Sequence, residues 1–447
     1  MKIVLPDSVR QALACLEGNG FEAYCVGGCV RDSLLGNRPQ DWDIATSALP
    51  EETKRCFSGF RIVDTGIRHG TVTVLWDGTP LEITTFRTDG AYTDSRHPDS
   101  VSFSGRLKDD LARRDFTVNA LAYNEQDGLI DCFGGTDDLA RRILRCVGTP
   151  LRRFQEDALR ILRCVRFAAV LGFSVDPETT SAALGQRHLL NRISQERIRD
   201  ELKKLVCGKQ AAEVLRCFAP ILFTAAPELA PMAACAQETP YHSYDVWNHT
   251  LHALAAAPAD QTLRIALLLH DAGKPSCKTV DSAGAAHFYG HVGRSAEIAR
   301  EFLIRLRFSN REVETICGLV RHHGDVHPMS EKQLKKLLGK WGEGWVTLLF
   351  SMMRADLAAQ AAWLYPERSQ AIEETERRFR DILARHSCLR LNDLAVDGND
   401  LLALGYERNR SLGNALRALL ELVLEEKLPN SREALLSQAR ELLGKKT

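Results

Sequence analysis

No uninterrupted apolar run in the 447 residues is long enough to cross a bilayer, and charged Asp7 and Arg10 come too early for an apolar leader. A membrane-embedded or exported protein is therefore not expected. The 13 cysteines are odd in number, scattered, and contain no Cys-x-x-Cys pair. That disfavours both a zinc ribbon and a disulfide framework, and leaves reduced thiols in a cytoplasmic protein as the expectation. Internal repeats and low-complexity tracts are also missing. Net charge is missing too: 58 basic residues offset 58 acidic ones, so the total carries no nucleic-acid footprint. The distribution does. Residues 141 to 166 hold eight arginines against Glu156 and Asp157, a run that suits a polyanion. The length fits two to four domains.

The densest chemistry lies in residues 25 to 46. A short apolar run, Ala23 to Val26, meets Gly27-Gly28. A turn of amphipathic helix carrying Arg31 follows, and then Asp41-x-Asp43 opens a second strand. Side chains alternate along a strand, so Asp41 and Asp43 are expected on one face. Two such carboxylates call for a positive partner, and a hard divalent ion such as Mg²⁺ is the natural one. The glycine turn lets backbone N–H groups, at Gly28 for example, approach a triphosphate, with Arg31 reaching the same phosphates. The order Gly-Gly-x-Val-Arg-Asp-x-Leu-Leu-Gly then Asp-x-Asp-Ile-Ala-Thr resembles the first motif of the class II tRNA nucleotidyltransferases. These are the CCA-adding enzymes, which are similar to bacterial poly(A) polymerases and belong to the DNA polymerase β superfamily. The resemblance implies an α+β chain: a polymerase β-like head with a small mixed sheet, then an all-helical remainder.

On either side of this stretch, residues 6 to 19 and Pro50 to Phe57 read as helices. Phe60 to Val63, Gly70 to Trp76 and Leu81 to Phe86 read as strands, with a hairpin at Asp77-Gly78. Glu82 on the third strand would complete a metal site if it faced the aspartate pair; an exposed strand glutamate is the equal alternative. Thr65 to Val72 and Glu82 to Arg87 match further family motifs. Residues 88 to 104 are polar and turn-rich and read as a mobile loop. They resemble the family's flexible loop, with His97 where a basic residue is expected, and that loop favours full CCA addition over CC-only addition.

Arg113-Arg114-Asp115-Phe-Thr-Val-Asn119-Ala resembles another family motif. Arg114 can bind phosphate. Asp115 and Asn119, read as one helical turn apart, can bond ribose hydroxyls or merely cap and bridge. Glu156-Asp157-x-x-Arg160 opens a helix on which Asp157, Arg160, Arg163 and Arg166 step by three. In the family this motif reads the incoming base, and the chemistry supports that role. Cytosine and adenine both offer an amino donor beside a ring-nitrogen acceptor, which a carboxylate and an arginine satisfy. Uracil and guanine would leave a buried charge unpaired. Arg163 and Arg166 are assigned to phosphate, pyrophosphate or the RNA end.

The second half is helical in pattern, and its chemistry lies in His249, His270-Asp271, His291, His322-His323 and Asp356. The pattern resembles an HD domain, a helical metal-dependent phosphohydrolase fold. By that resemblance His249, His270, Asp271 and Asp356 would hold a second, transition-type divalent metal, with His291 and His322 adding another ion or a phosphate contact. The expected division is a head at 1–148, a neck for base recognition and RNA binding at 149–230, an HD-type domain at 240–360 and a C-terminal helical region at 361–447. The expected activity is template-independent addition and repair of the tRNA CCA end from CTP and ATP, with tRNA bound by its acceptor arm and no membrane partner. Two alternatives stay open: a poly(A) polymerase or A-adding enzyme, and an HD phosphohydrolase whose first half only binds nucleotide or RNA.

Overall fold

The computed structural model describes residues 2–64, 66–67, 70–89, 101–325, 328–385, 390–425 and 427–444. The chain forms two compact units, Met1–Pro227 and Glu228–Thr447.

The first unit begins with helix α1 (Asp7–Gly18), whose buried Val9, Ala12, Leu13 and Leu16 recur at helical spacing and face the core. Gly20, at φ 87°, turns the chain out of it. There follow β1 (Ala23–Val26), α2 (Gly28–Leu34), β2 (Asp43–Thr46), α3 (Pro50–Cys56), β3 (Arg61–Val63), β4 (Thr71–Trp76) and β5 (Thr79–Thr85). Asp77 and Gly78 take φ values of 47° and 81°, as a two-residue hairpin turn between β4 and β5 requires. Next come β6 (Arg87–Asp89), β7 (Val101–Phe103), α4 (Leu107–Ala112), a 3₁₀ turn (Thr117–Asn119), β8 (Leu121–Asn124), β9 (Gly128–Asp131), α5 (Gly135–Arg141) and β10 (Ile143–Leu144).

Seven strands form one mixed sheet in the order β3-β4-β5-β2-β1-β8-β9. Only the β2–β5 pair among them is parallel. Tyr24, Val26, Ala45, Phe86, Leu111 and Ala122 build a core on the sheet. Full burial of Phe86 alone is worth about 2–3 kcal/mol before entropy. The segment expected to be a mobile loop is ordered at both ends, where β6 and β7 pair antiparallel. Residues 90–100, His97 included, lie outside the described residues.

The helical remainder of this unit holds α6 (Pro150–Glu156), α7 (Leu159–Leu171), β11 (Ser174–Val175), α8 (Pro177–Gly185), α9 (Gln195–Val206), α10 (Ala211–Cys217) and α11 (Ala219–Ala225). Helix α7 packs against α9. Asp157 sits in the break between α6 and α7, with extended backbone at φ −136° and ψ 104°. It therefore lies ahead of the helix that carries Arg160, Arg163 and Arg166.

The second unit is helical apart from the short hairpin β12–β13 (Thr279–Val280 and Ala286–His287). Its helices include α12 (Val246–Ala256), α13 (Gln261–Leu269), α14 (Lys274–Cys277), α15 (His291–Arg305), α16 (Asn310–His322), α17 (Glu331–Trp341), α18 (Glu343–Ala358) and α19 (Tyr365–Ala384). Every residue of α13 from Leu263 to Leu269 is buried, so this helix is the unit's centre. Helices α20 (Gly398–Ala403), α21 (Arg410–Leu424) and α22 (Arg432–Gly444) enclose a separate apolar cluster around Leu401, Leu419 and Leu435. No helix among the described residues is long and apolar enough to cross a membrane.

Candidate functional site

The first unit contains a polar cavity of about 860 Å³. Its wall combines Asp41 and Asp43, the glycine turn, Arg31, Arg114, Asp115 and Asn119 from the head with Asp157, Arg160, Arg163 and Arg166 from the helices that follow. Asp43 opens β2, whereas Asp41 lies two residues ahead of the strand. Because β2 and β5 run parallel in register, Asp43 pairs with Glu82. Parallel partners share a face, so Glu82 stands beside Asp43, though outside the cavity wall. Desolvation, with the Glu82 and Asp41 charges adding to it and Arg114 opposing, raises the Asp43 carboxyl above its ordinary value. Such a cluster of acids fits a divalent cation.

Of the two glycines, Gly27 is the one whose backbone demands glycine, at φ 78° and ψ −126°. A Cβ there would stand 2.6 Å from Arg114 Nη1. Gly27 N–H donates to the Leu121 carbonyl at 3.0 Å, so it ties α2 to β8 and is not a phosphate donor. Arg114 Nη2 is held 3.2 Å from Asp110 Oδ2.

Asp115 and Asn119 do not share a helix, because α4 stops at Ala112 and only a 3₁₀ turn follows. They meet nonetheless: Asn119 Nδ2 donates to Asp115 Oδ1 at 3.0 Å. The chain of contacts runs on, with Arg163 Nη2 2.6 Å from Asp115 Oδ2 and Arg31 Nη1 donating to Asn119 Oδ1 at 2.6 Å. Burial alone would raise the Asp115 carboxyl, but the charges of Arg163 and Arg160 and the Asn119 amide hold it well below the ordinary value. The pair therefore bridges head and neck, and both residues line the cavity.

Arg160 donates to Glu156 Oε2 at 2.7 Å and to the Arg113 carbonyl at 2.8 Å. Asp157 accepts from Leu159 N–H at 3.0 Å and from Arg197 Nη2 at 2.8 Å. Arg166 lies 3.9 Å above the Phe167 ring, with Nε 2.9 Å from Glu201 Oε2. Arg197, Glu201 and Phe167 were not singled out from the sequence. Arg197 and Glu201 stand one helical turn apart and so share a face of α9, a spacing that names no partner on α7.

The second unit gathers His249, His270, Asp271, His291, His323 and Asp356. His249 Nε2 lies 2.8 Å from Asp356 Oδ1 and 3.4 Å from His270 Nε2. The Nδ1 atoms of His249, His270, His291 and His323 face the backbone carbonyls of Ala359, Leu267, Phe288 and Val320 at 2.7–3.2 Å. These carbonyls fix the ring orientations and turn each Nε2 toward the acids, the orientation that metal-ligating imidazoles take. Two triads able to hold an ion share Asp271: one with His249 and His270, the other with His291 and His323. Asp271 is buried, with Lys274 Nζ 2.7 Å from its Oδ2 and no hydrogen-bond donor on its Oδ1. His322 is a correction. It closes α16 one step around from its neighbour, pairs with Asp325 at 2.7 Å and packs edge-on to Trp345; His323 lines the cluster instead.

A poly A polymerase head domain model matches residues 23–145, a polymerase A RNA- and SrmB-binding site model residues 172–217, and a tRNA nucleotidyltransferase domain 2 model residues 281–439. The CCA-adding enzyme of Lactobacillus delbrueckii subsp. bulgaricus is 36% identical over 420 residues, 94% of each chain. That of Latilactobacillus sakei subsp. sakei is 38% identical over 432 residues, 95% of each. The chain belongs to the CCA-adding enzyme family. It is accordingly a nucleotidyltransferase, and the fold agrees: the Bacillus stearothermophilus CCA-adding enzyme in complex with CTP matches at 30% identity and a TM-score of 0.73 over 99% of both chains. The resemblance read from the first motif and the α+β fold class are both borne out. The HD resemblance falls partly within the span of the tRNA nucleotidyltransferase domain 2 match, which includes His291, His323 and Asp356. Members of this class use a divalent metal, which suits the acids of β2.

Proposed function

We propose that this chain builds and repairs the CCA end of tRNA from CTP and ATP, without a nucleic-acid template, in the cytoplasm. The observation that carries the proposal is a single cavity wall containing the acid pair, Arg114 and the Asp157–Arg160 pair. Asp41 and Asp43 would hold Mg²⁺, which when bound activates the RNA 3′-hydroxyl and neutralises charge on the leaving pyrophosphate. Arg114 binds the triphosphate, while Asp115 and Asn119 position the sugar. Asp157 accepts from the exocyclic amine of C or A and Arg160 donates to the ring nitrogen. Arg163 braces Asp115, and Arg166 meets phosphate or the RNA end. Replacing Asp41 and Asp43 together by alanine should abolish CMP incorporation into a tRNA transcript lacking CCA and leave the circular dichroism unchanged. Robust incorporation by that variant would refute the assignment. In the same assay, long tails from ATP alone would favour a poly(A) polymerase.

A second reading rests on the buried Asp271 shared by two imidazole pairs. The second unit would bind divalent transition metal through His249, His270, Asp271, His291, His323 and Asp356 and hydrolyse phosphate esters there. Release of phosphate from a nucleotide on metal addition, lost in Asp271→Ala, tests it.

A further inference from the structure

Arg197 belongs to α9, yet its Nη2 reaches Oδ2 of Asp157 at 2.8 Å. Asp157 has extended backbone in the break between α6 and α7, so no helical ladder fixes where its side chain points. Two donors fix it: the Leu159 N–H on one oxygen and Arg197 on the other. Arg197 and Asp157 both line the cavity, and Arg197 Nη1 is shielded from water without a hydrogen-bond partner. Arg160, the other half of the base-reading pair, is anchored separately through Glu156. The two reading groups are thus held by different counter-groups rather than by each other.

We propose that Arg197 is a specificity-determining positioning residue, which fixes the Asp157 carboxylate so that its remaining lone pairs meet the amine of cytosine or adenine. The inference rests on the proposed base-reading role of Asp157. A carboxylate offers about four acceptor sites, and the two donors use two of them. A carboxylate pinned this way cannot swing aside when uracil O4 or guanine O6 arrives, so the wrong base keeps its full repulsive penalty. Without Arg197 the carboxylate turns, and the penalty relaxes. The loss falls on the choice of base and not on triphosphate binding, which other residues carry.

The test measures kcat/KM for CTP and for UTP on a tRNA transcript lacking CCA, with the full-length chain. Arg197→Met should lower the CTP-to-UTP ratio by about ten-fold or more, and Arg197→Lys should restore most of it. Asp157→Asn should lower the ratio as well. Adding Arg197→Met to Asp157→Asn should change the ratio by less than about two-fold, because a residue acting through Asp157 has nothing left to position. If Asp157→Asn relaxes the choice and Arg197→Met does not, or if their effects multiply, the inference falls and the base-reading role stands. If Asp157→Asn keeps full discrimination, the base-reading role itself falls and the inference with it. A gain in CTP kcat/KM at unchanged ratio would make Arg197 a competitor for Asp157, which also overturns the inference. Should Arg197→Met not fold, Arg197→Gln serves the same comparison.

Discussion

Gly27→Ala separates backbone strain from loss of a phosphate-binding group. Gly27 has φ 78° and ψ −126°, a conformation reserved for glycine, so alanine there costs about 1–3 kcal/mol in backbone strain. The added methyl would also sit 2.6 Å from Arg114 Nη1, while Asn119 O stays at a comfortable 3.7 Å. Because the clash is with the far end of a flexible side chain, Arg114 gives way and little further stability is lost. The functional cost is larger. The guanidinium leaves the neighbourhood of Asp43, and loss of one charge-assisted phosphate contact, about 1.4 kcal/mol or more, raises the KM for CTP about ten-fold. Gly20→Ala is the control: Gly20 has φ 87° and nothing within 4 Å of the position its new methyl would take, so it carries strain alone. Urea unfolding should show a loss of similar size for both variants, whereas only Gly27→Ala should raise the KM. In an Arg114→Ala background Gly27→Ala should raise it no further. An unchanged KM in Gly27→Ala, or a further rise in that background, would refute the reasoning.

Asp115→Asn should be pH-dependent in a definite direction. The folded carboxyl is held below its ordinary value of 3.8, so its contribution is complete above that pH and disappears as pH falls through the lower folded value. Denaturant titrations should show a gap from the unmodified chain of about 3 kcal/mol at pH 7, closing steadily below about pH 4. His323→Ala should weaken uptake of Mn²⁺ by the second unit about ten-fold or more in equilibrium dialysis, and His322→Ala should leave it unchanged. Equal effects of the two would return His322 to the cluster.

The head was legible because its signals are local. Apolar alternation gave β4 and β5, Asp77-Gly78 gave their turn, and the acid pair stands at the mouth of β2. Three features escaped for physical reasons. The break before α7 leaves no composition cue, since Asp157 and Ala158 are acceptable inside a helix; only the packing of α7 on α9 shows where the ladder restarts. Arg197 and Glu201 act on residues some forty positions away, a relation that helical spacing within one segment does not encode. His322 and His323 are adjacent, and which of two neighbouring imidazoles faces inward depends on the phase of α16, whose buried Val313, Ile316 and Val320 lie on the same face as His323. The β2–β5 pairing was half legible: both strands were expected, but whether Glu82 faced Asp43 depended on a register no single strand specifies.

That parallel pairing also governs which length changes the gene can accept. Asp43 and Glu82 become neighbours only after the chain has passed through α3, β3 and β4 and returned in the same direction. Residues can be added or lost in the connections of that excursion with modest entropic penalty, because loop closure depends only weakly on length. One residue lost inside β5 ahead of Glu82 is different in kind. The hairpin at Asp77-Gly78 fixes where β5 begins, so keeping the pairs with β4 would carry Glu82 to the inward face and Ile83 to the outward one, while keeping Glu82 beside Asp43 would break those pairs. Natural variation in this stretch should therefore collect in the connections and leave the spacing along β5 constant.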